Sequence, residues 1–383
     1  MNMHDLQHDL EQIEQNDLLR RRKNVVISRG VRIRVDGQEL LSFCSNDYLG
    51  LANHPALIDA AQQGAKDYGV GAKASHLISG HHNIHDELEK KLAVFVGLPR
   101  ALLFSTGYMA NIAVVTTLVS RSDAVFADKL NHASLNDAVL LSRAKFYRYP
   151  HLDLSVLEKN LAQSKAKHKL VVTDAVFSMD GDIAPLPELI ALCQRYNAWL
   201  FVDDAHGFGV LGKGGRGTLS HFDIQIPNII YMGTLGKAAG VFGAFVAGQE
   251  TLIETLIQHA HTYIYTTATP PLLAQATVKS IELIEKEHWR RERLKNLIQI
   301  LRSQLKLKRW KLLASETPIQ PLIIGSNKEA LAIGEKLWQQ GFWVPVIRPP
   351  TVPQGQARLR ISLSAAHSEE EVTRLVDAIN NLQ

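Results

Sequence analysis

Apolar positions follow different rhythms along the chain. Between residues 3 and 22, Leu6, Leu10 and Ile13 recur at helical spacing and predict an amphipathic arm ending in the basic run Leu19-Arg-Arg-Arg-Lys23. Residues 31–43 alternate around Asp36-Gly37, a hairpin signal. Beyond Pro55 short apolar runs alternate with amphipathic stretches. Lys169-Leu-Val-Val-Thr173, Trp199-Leu-Phe-Val202, Ile229-Ile-Tyr231 and Ala244-Phe-Val-Ala247 predict buried strands. Between the first two, residues 185–196 predict a helix, with Pro at its start and Leu189, Ile190, Cys193 and Tyr196 on one face. Apolar strands joined by helices predict a mainly parallel sheet covered on both faces. A charged amphipathic pattern predicts one long helix over about residues 272–305. It is followed by a strand at 320–324, a helix at 328–340, a proline-rich segment and a strand at 357–363. The expected fold class is α/β, in three parts: an N-terminal arm and hairpin (1–45), a large mainly parallel domain (46–280) and a smaller C-terminal α/β domain (281–383). At roughly 150 residues per domain, 383 residues accommodate this.

Composition narrows the function classes. With 46% hydrophobic and 21% charged residues the chain can bury a sizeable core. Lys and Arg number 42 against 38 Asp and Glu, a net +4 that gives little support to nucleic acid as a partner. Two cysteines, Cys44 and Cys193, cannot make a disulfide framework and suit a reducing, cytoplasmic compartment. Asp5, Asp9 and Glu11 stand where a signal peptide needs a basic start and an apolar run. The most apolar long stretch, residues 101–119, is interrupted by Ser105, Thr106, Gly107 and Asn111, which predicts a loop and a buried helix rather than a membrane span.

Two glycine and histidine patterns invite readings that fail on context. Gly207-Phe-Gly209-Val-Leu-Gly212 spells a dinucleotide fingerprint, and with Lys213 nearly a phosphate-binding loop. Both motifs need a helix immediately afterwards to hold the phosphate, and Lys213-Gly-Gly-Arg-Gly217 cannot start one. A flexible glycine loop beside a site is the expectation. His81, His82 and His85 lack the companions of a metal motif, so a capped helix start after Ser79-Gly80 is expected there, with no metal.

Three predicted strands each lead into polar groups: Asp203-Asp204-Ala-His206 after Val202, Phe177-Ser178-Met-Asp-Gly181 after Thr173, and Gly233-Thr234-Leu-Gly236-Lys237 after Tyr231. Ligands of open α/β sheets bind at the carboxyl ends of strands, so these groups are expected to converge. A carboxylate, a histidine, hydroxyls and a lysine amid glycines match the needs of pyridoxal 5'-phosphate. The lysine forms a Schiff base, the carboxylate keeps the ring nitrogen protonated, and hydroxyls and amides take the phosphate.

Ser45-Asn-Asp-Tyr-Leu-Gly50, Val176-Phe-Ser-Met-Asp-Gly181, Asp203-Asp-Ala-His-Gly207 and Thr234-Leu-Gly-Lys237 resemble the α-oxoamine synthases, fold-type I transferases dependent on pyridoxal 5'-phosphate. The resemblance runs over nearly the whole chain. Arg348-Pro-Pro-Thr-Val-Pro353 and Ala357-Arg-Leu-Arg360 are most similar to the branch that joins L-alanine to a pimeloyl thioester, on coenzyme A or a carrier protein, in biotin biosynthesis. The resemblance implies Lys237 as Schiff-base lysine and base, Asp203 at the ring nitrogen, Ser178 and His206 near the phenolic oxygen, and His132 stacked on the ring. It implies Gly107, Tyr108 and Thr234 at the phosphate, with Thr266 or Thr267 reaching it from the other subunit of a homodimer. Arg348 is expected at the substrate carboxylate, with Arg20 and Thr351 also at substrate. Lys73 and Ala74 depart from the family's small, flexible residues in Gly69-Val-Gly-Ala-Lys-Ala-Ser-His76. Other readings are a sister synthase joining glycine to an acetyl thioester, an aminotransferase on the same fold, and a non-enzymatic protein using residues 19–23 on nucleic acid.

Overall fold

The computed structural model describes residues 2–226 and 228–382. Contacts divide the chain into two compact units, one of Met1–Gly50, Met179–Asp182 and Glu292–Gln383, the other of Leu51–Ser178 and Ile183–Arg291. The expected boundaries lay at residues 45 and 280 with a separate N-terminal part; contacts instead group the first 50 residues with the C-terminal segment.

The larger unit is built on a seven-stranded sheet in the order Arg100–Phe104, Ala244–Gly248, Ile229–Thr234, Trp199–Asp203, Lys169–Asp174, Ala124–Asp128, Lys145–Tyr149. Only Ala244–Gly248 runs antiparallel to its neighbours. The central strands are buried along nearly their whole length and apolar except toward their ends, as strands covered on both faces are. Against this sheet lies a core that includes Val114, Val115, Leu135, Val139, Val172, Phe201 and Val246. The helices Gly107–Leu118 and Ala133–Ser142 supply the first four of these side chains.

In the smaller unit the strands Val25–Arg29, Arg32–Val35, Gln38–Ser42 and Phe342–Trp343 form one sheet. Lys311–Leu312, Ile319–Gly325, Ala357–Ser362 and Val346–Ile347 form a second, antiparallel one. The hairpin turns at Asp36-Gly37 as expected, both residues with positive φ.

Two expected helices are shorter than their apolar patterns. The N-terminal helix is Met3–Gln15, not 3–22, because Asn16 closes it by donating its side-chain amide to Gln12 O and Asp17 turns left-handed at φ 57°. The pattern over 272–305 is two helices, Pro271–Lys286 and Trp289–Gln304. At the break Arg291 donates to the Ile284 carbonyl at 2.7 Å and Arg290 to Glu287 at 2.6 Å. The Arg291 guanidinium thus takes a backbone carbonyl that a continuous helix would satisfy with an amide, while Arg290 pairs with the Glu287 carboxylate. Among the described residues no helix is long and apolar enough to cross a membrane.

Phe245 shows how tightly the sheet is packed. Its buried ring meets Phe208 edge-on at 5.2 Å and Tyr231 at 5.9 Å. A Cβ on Gly233 of the next strand would lie 2.6 Å from it. Phe245→Ala is expected to cost about 3–5 kcal/mol in urea unfolding of the cofactor-free protein; a loss below about 1 kcal/mol would contradict this packing.

Candidate active site

Parallel pairing places the ends of neighbouring strands side by side. Asp174 and Asp203 are register partners, as are Asp203 and Met232, so two carboxylates leave the sheet together at its carboxyl edge. Both are buried. A cavity of about 190 Å³ opens there, lined by Gly107, Tyr108, Asn111, His132, Ser134, Asp174, Val176, Ser178, Asp203, Ala205, His206, Met232, Thr234 and Lys237.

The Asp203 carboxylate is held from two sides. One oxygen accepts the Ala205 amide at 3.0 Å and the other accepts Asn111 Nδ2 at 2.7 Å. The second Asn111 amide hydrogen goes to Ser134 Oγ at 2.8 Å, and that hydroxyl lies 2.7 Å from His132 Nδ1. Since Ser134 Oγ accepts from Asn111, it donates to His132, and the neutral imidazole therefore carries its proton on Nε2. Burial holds the His132 pKa below the ordinary imidazole value, with Asp203 acting in the opposite sense and Lys237 in the same one. Asp174 accepts the His132 backbone amide on both oxygens at 3.2 Å. Burial, reinforced by the charge of Asp203, pushes the Asp174 pKa well above the carboxylate range.

The anion-facing end is the start of the helix Gly107–Leu118. Thr106 caps it, its side chain accepting from the Met109 amide at 3.2 Å. The amides of Gly107 and Tyr108 lie in the first turn, which has no intrahelical acceptor for them, and the helix dipole adds partial positive charge. A Cβ on Gly107 would meet Thr234 Cγ2 at 2.9 Å, so glycine lets Thr234 pack against the helix start. Tyr108 donates its hydroxyl to Asp137.

Asp204 serves the opposite side. Its oxygens accept the Thr218 amide and hydroxyl and the Tyr231 hydroxyl, and burial pushes its pKa up to about 7. The glycine loop expected to be flexible is wrapped on this carboxylate: a Cβ on Gly207 would lie 2.1 Å from one Asp204 oxygen, and on Gly217 2.3 Å from the other. The glycines clear space for a buried acid.

Of the expected site residues, Gly107, Tyr108, His132, Ser178, Asp203, His206, Thr234 and Lys237 line the one cavity. Thr266 follows the short helix His261–Ile264 in the same unit and does not line it. Arg20, Arg348 and Thr351 belong to the smaller unit. There Arg348 donates to the carbonyls of Asp17 and Leu19, and burial, then the nearby charge of Arg20, lowers its pKa. Thr351 donates its amide to Arg348 O at 3.2 Å. Asn111, Ser134 and Asp174 were not anticipated. Asn111 left a trace as a polar residue in an apolar helix, and Asp174 as a second acid at a strand end.

Among the histidines, His76, His81 and His85 bring ring nitrogens within 4.8 Å of one another. Both nitrogens of His85 are in use, Nδ1 accepting the His82 amide and Nε2 donating to Thr269 O. The cluster thus starts the helix Asn83–Val96, and a metal would have to break one of these bonds. Lys73 takes φ 68°, a conformation ordinarily left to glycine.

Residues 38–379 match the family model described as aminotransferase class I and II. The 8-amino-7-oxononanoate synthase of Nitrosomonas eutropha is 61% identical over 99% of this chain and 98% of its own length. A solved serine palmitoyltransferase from S. paucimobilis with bound PLP-myriocin superposes with a TM-score of 0.93 at 27% identity, covering 98% of this chain and 96% of the other. The solved 8-amino-7-oxononanoate synthase of Francisella tularensis gives 0.78 at 34% identity, covering 90% and 97%.

An imidazole that resists protonation makes a direct expectation. In the cofactor-free protein, histidine-selective ¹⁵N NMR should find His132 titrating below 6.5, with its proton on Nε2 in the neutral form. A midpoint at or above 6.5 would contradict the network.

Proposed function

Because this chain belongs to the class I and II aminotransferase family, in its 8-amino-7-oxononanoate synthase branch, we propose that it condenses L-alanine with a pimeloyl thioester. Carbon dioxide and the free thiol leave, and 8-amino-7-oxononanoate is formed for biotin synthesis. The observation that carries this reading is the meeting of Lys237, two in-register carboxylates and an open helix start in one cavity.

The residues present fit pyridoxal 5'-phosphate. Asn111 Oδ1 is buried at the cavity with no partner among the described residues. Gly107 lets Thr234 pack against the helix start, which sets a hydroxyl-bearing side chain beside the first-turn amides that suit a phosphate. The Asp203 carboxylate, with its two hydrogen bonds, suits a cationic ring nitrogen. When bound, the cofactor supplies an aldehyde that takes up an amine and a ring that accepts the electron pair released at Cα.

The chain's own residues do the rest. Asp203, fixed by Asn111 and the Ala205 amide, holds a proton on the ring nitrogen. Lys237 would hold the cofactor through Nζ and would serve as the base for the Cα proton of alanine. His132, anchored through its backbone amide to Asp174 and through its ring to Ser134, covers the ring face. Ser178 and His206 serve the phenolic oxygen. Thr234 and the amides of Gly107 and Tyr108 hold the phosphate, and Thr266 reaches it across a homodimer. Arg348 grips the alanine carboxylate with a planar fork, which sets the Cα–H bond for removal, while Arg20 and Thr351 contact substrate. Exposed Val70, Leu77, Ile78, Leu140, Leu141 and Tyr265 support the homodimer. The free thiols Cys44 and Cys193 support a cytoplasmic setting.

Borohydride reduction of the holoenzyme followed by peptide mapping should place the pyridoxyl label on Lys237. Lys237→Ala should lose both the label and turnover of L-alanine with pimeloyl-CoA. A label on another lysine, or turnover retained in the variant, would overturn the assignment.

A further inference from the structure

Residues 20–34 carry seven basic side chains, Arg20, Arg21, Arg22, Lys23, Arg29, Arg32 and Arg34, and no acid. Set against the chain's net +4, these seven charges leave −3 for everything else. All seven are exposed. Four are offset within the same unit, Arg21 by Glu14, Lys23 by Asp36, Arg32 by the buried Glu371 and Arg34 by Glu39; the three pairs with both partners exposed add little to stability. Arg22 and Arg29 have no acidic partner among the described residues.

The hairpin adds two further observations. Arg29 and Arg32 face each other directly across the strands Val25–Arg29 and Arg32–Val35, a like-charge pair that destabilises a hairpin by itself. Val25–Arg29 is also an edge strand with every residue exposed. It sets Val25, Val26 (67% exposed) and Ile27 amid the basic side chains. Aliphatic residues ringed by arginine are the makings of a protein interface. The segment has no aromatic residue on which nucleic acid bases would stack. A second copy of the same strip would be repelled by its charge.

We propose that residues 20–34 form a docking surface for an acidic carrier protein that presents the acyl thioester. This rests on the synthase reading above and deepens it by choosing the carrier. Arg20 links the two: it stands at one end of the strip, close enough to Arg348 for their charges to interact. A carrier held on the strip delivers its acyl arm beside the two guanidinium groups assigned to substrate. The same anionic chemistry could come from the phosphates of coenzyme A, but a small nucleotide has no use for the aliphatic centre or for a strip reaching to Arg34.

The test uses the full-length holoenzyme with L-alanine and the same pimeloyl group on either purified acyl carrier protein or coenzyme A. The double variant Arg22→Glu/Arg29→Glu changes only exposed residues outside the catalytic machinery, and its thermal midpoint serves as the folding control. The expected result is a rise of about tenfold or more in KM for the carrier-borne donor, with kcat kept and the KM for pimeloyl-CoA within about twofold of the parent. Direct binding of the carrier protein should weaken in parallel, and in the parent enzyme should weaken with added salt. Equal changes with both donors, no change with either, or tighter binding of duplex DNA than of the carrier would overturn the docking surface. Absence of turnover with both donors in the parent enzyme would instead count against the synthase reading, and carrier binding would still decide the surface.

Discussion

Asp174 and Asp203 end adjacent parallel strands in register, so two carboxylates emerge together where solvent is nearly excluded. Like charges so placed cannot both stay ionised without compensation. Asp203 receives it as hydrogen bonds from Asn111 and the Ala205 amide, whereas Asp174 has one bifurcated amide and is driven toward its neutral form. The surrounding architecture follows from this pair. Asn111 must sit within an otherwise apolar helix to reach Asp203, and Ser134 must follow His132 to pass the hydrogen bond on. The cationic partners then come from the cavity side, from Lys237 and from whatever ring the cavity holds.

The next residue along the strand meets the same problem differently. Asp204 is fully buried, yet it collects three donors, and the loop from Gly207 to Gly217 is shaped around its oxygens. A run of glycines that mimics a nucleotide fingerprint therefore has a packing cause. Gly207 clears an Asp204 oxygen, Gly212 clears the Gly217 carbonyl, and Gly209 and Gly212 both take positive φ.

Strand positions and the polar groups at their ends were legible in the sequence because buried parallel strands are continuous apolar runs and their carboxyl ends carry the ligands. Eight of the expected residues meet in one cavity for that reason. Helix ends were less legible. Asn16 stops the first helix and Arg291 bridges the break near residue 288 through side-chain hydrogen bonds that leave no mark in hydrophobic periodicity. Asn111, Ser134 and Asp174 escaped notice because their roles depend on pairing register and on contacts between elements far apart in the chain. The docking strip was half visible: Leu19-Arg-Arg-Arg-Lys23 stands out as a run, whereas Arg29, Arg32 and Arg34 join it only through the hairpin.

Catalysis by this cavity rests on the Asp203 carboxylate keeping a ring nitrogen cationic. The most direct measurement is the ¹⁵N chemical shift of the ring nitrogen in the holoenzyme reconstituted with ¹⁵N-labelled pyridoxal 5'-phosphate, compared with Asp203→Asn. The account predicts a protonated nitrogen at pH 8 in the parent protein and a deprotonated one in the variant. A deprotonated ring nitrogen in the parent, or the same shift in both, would contradict it.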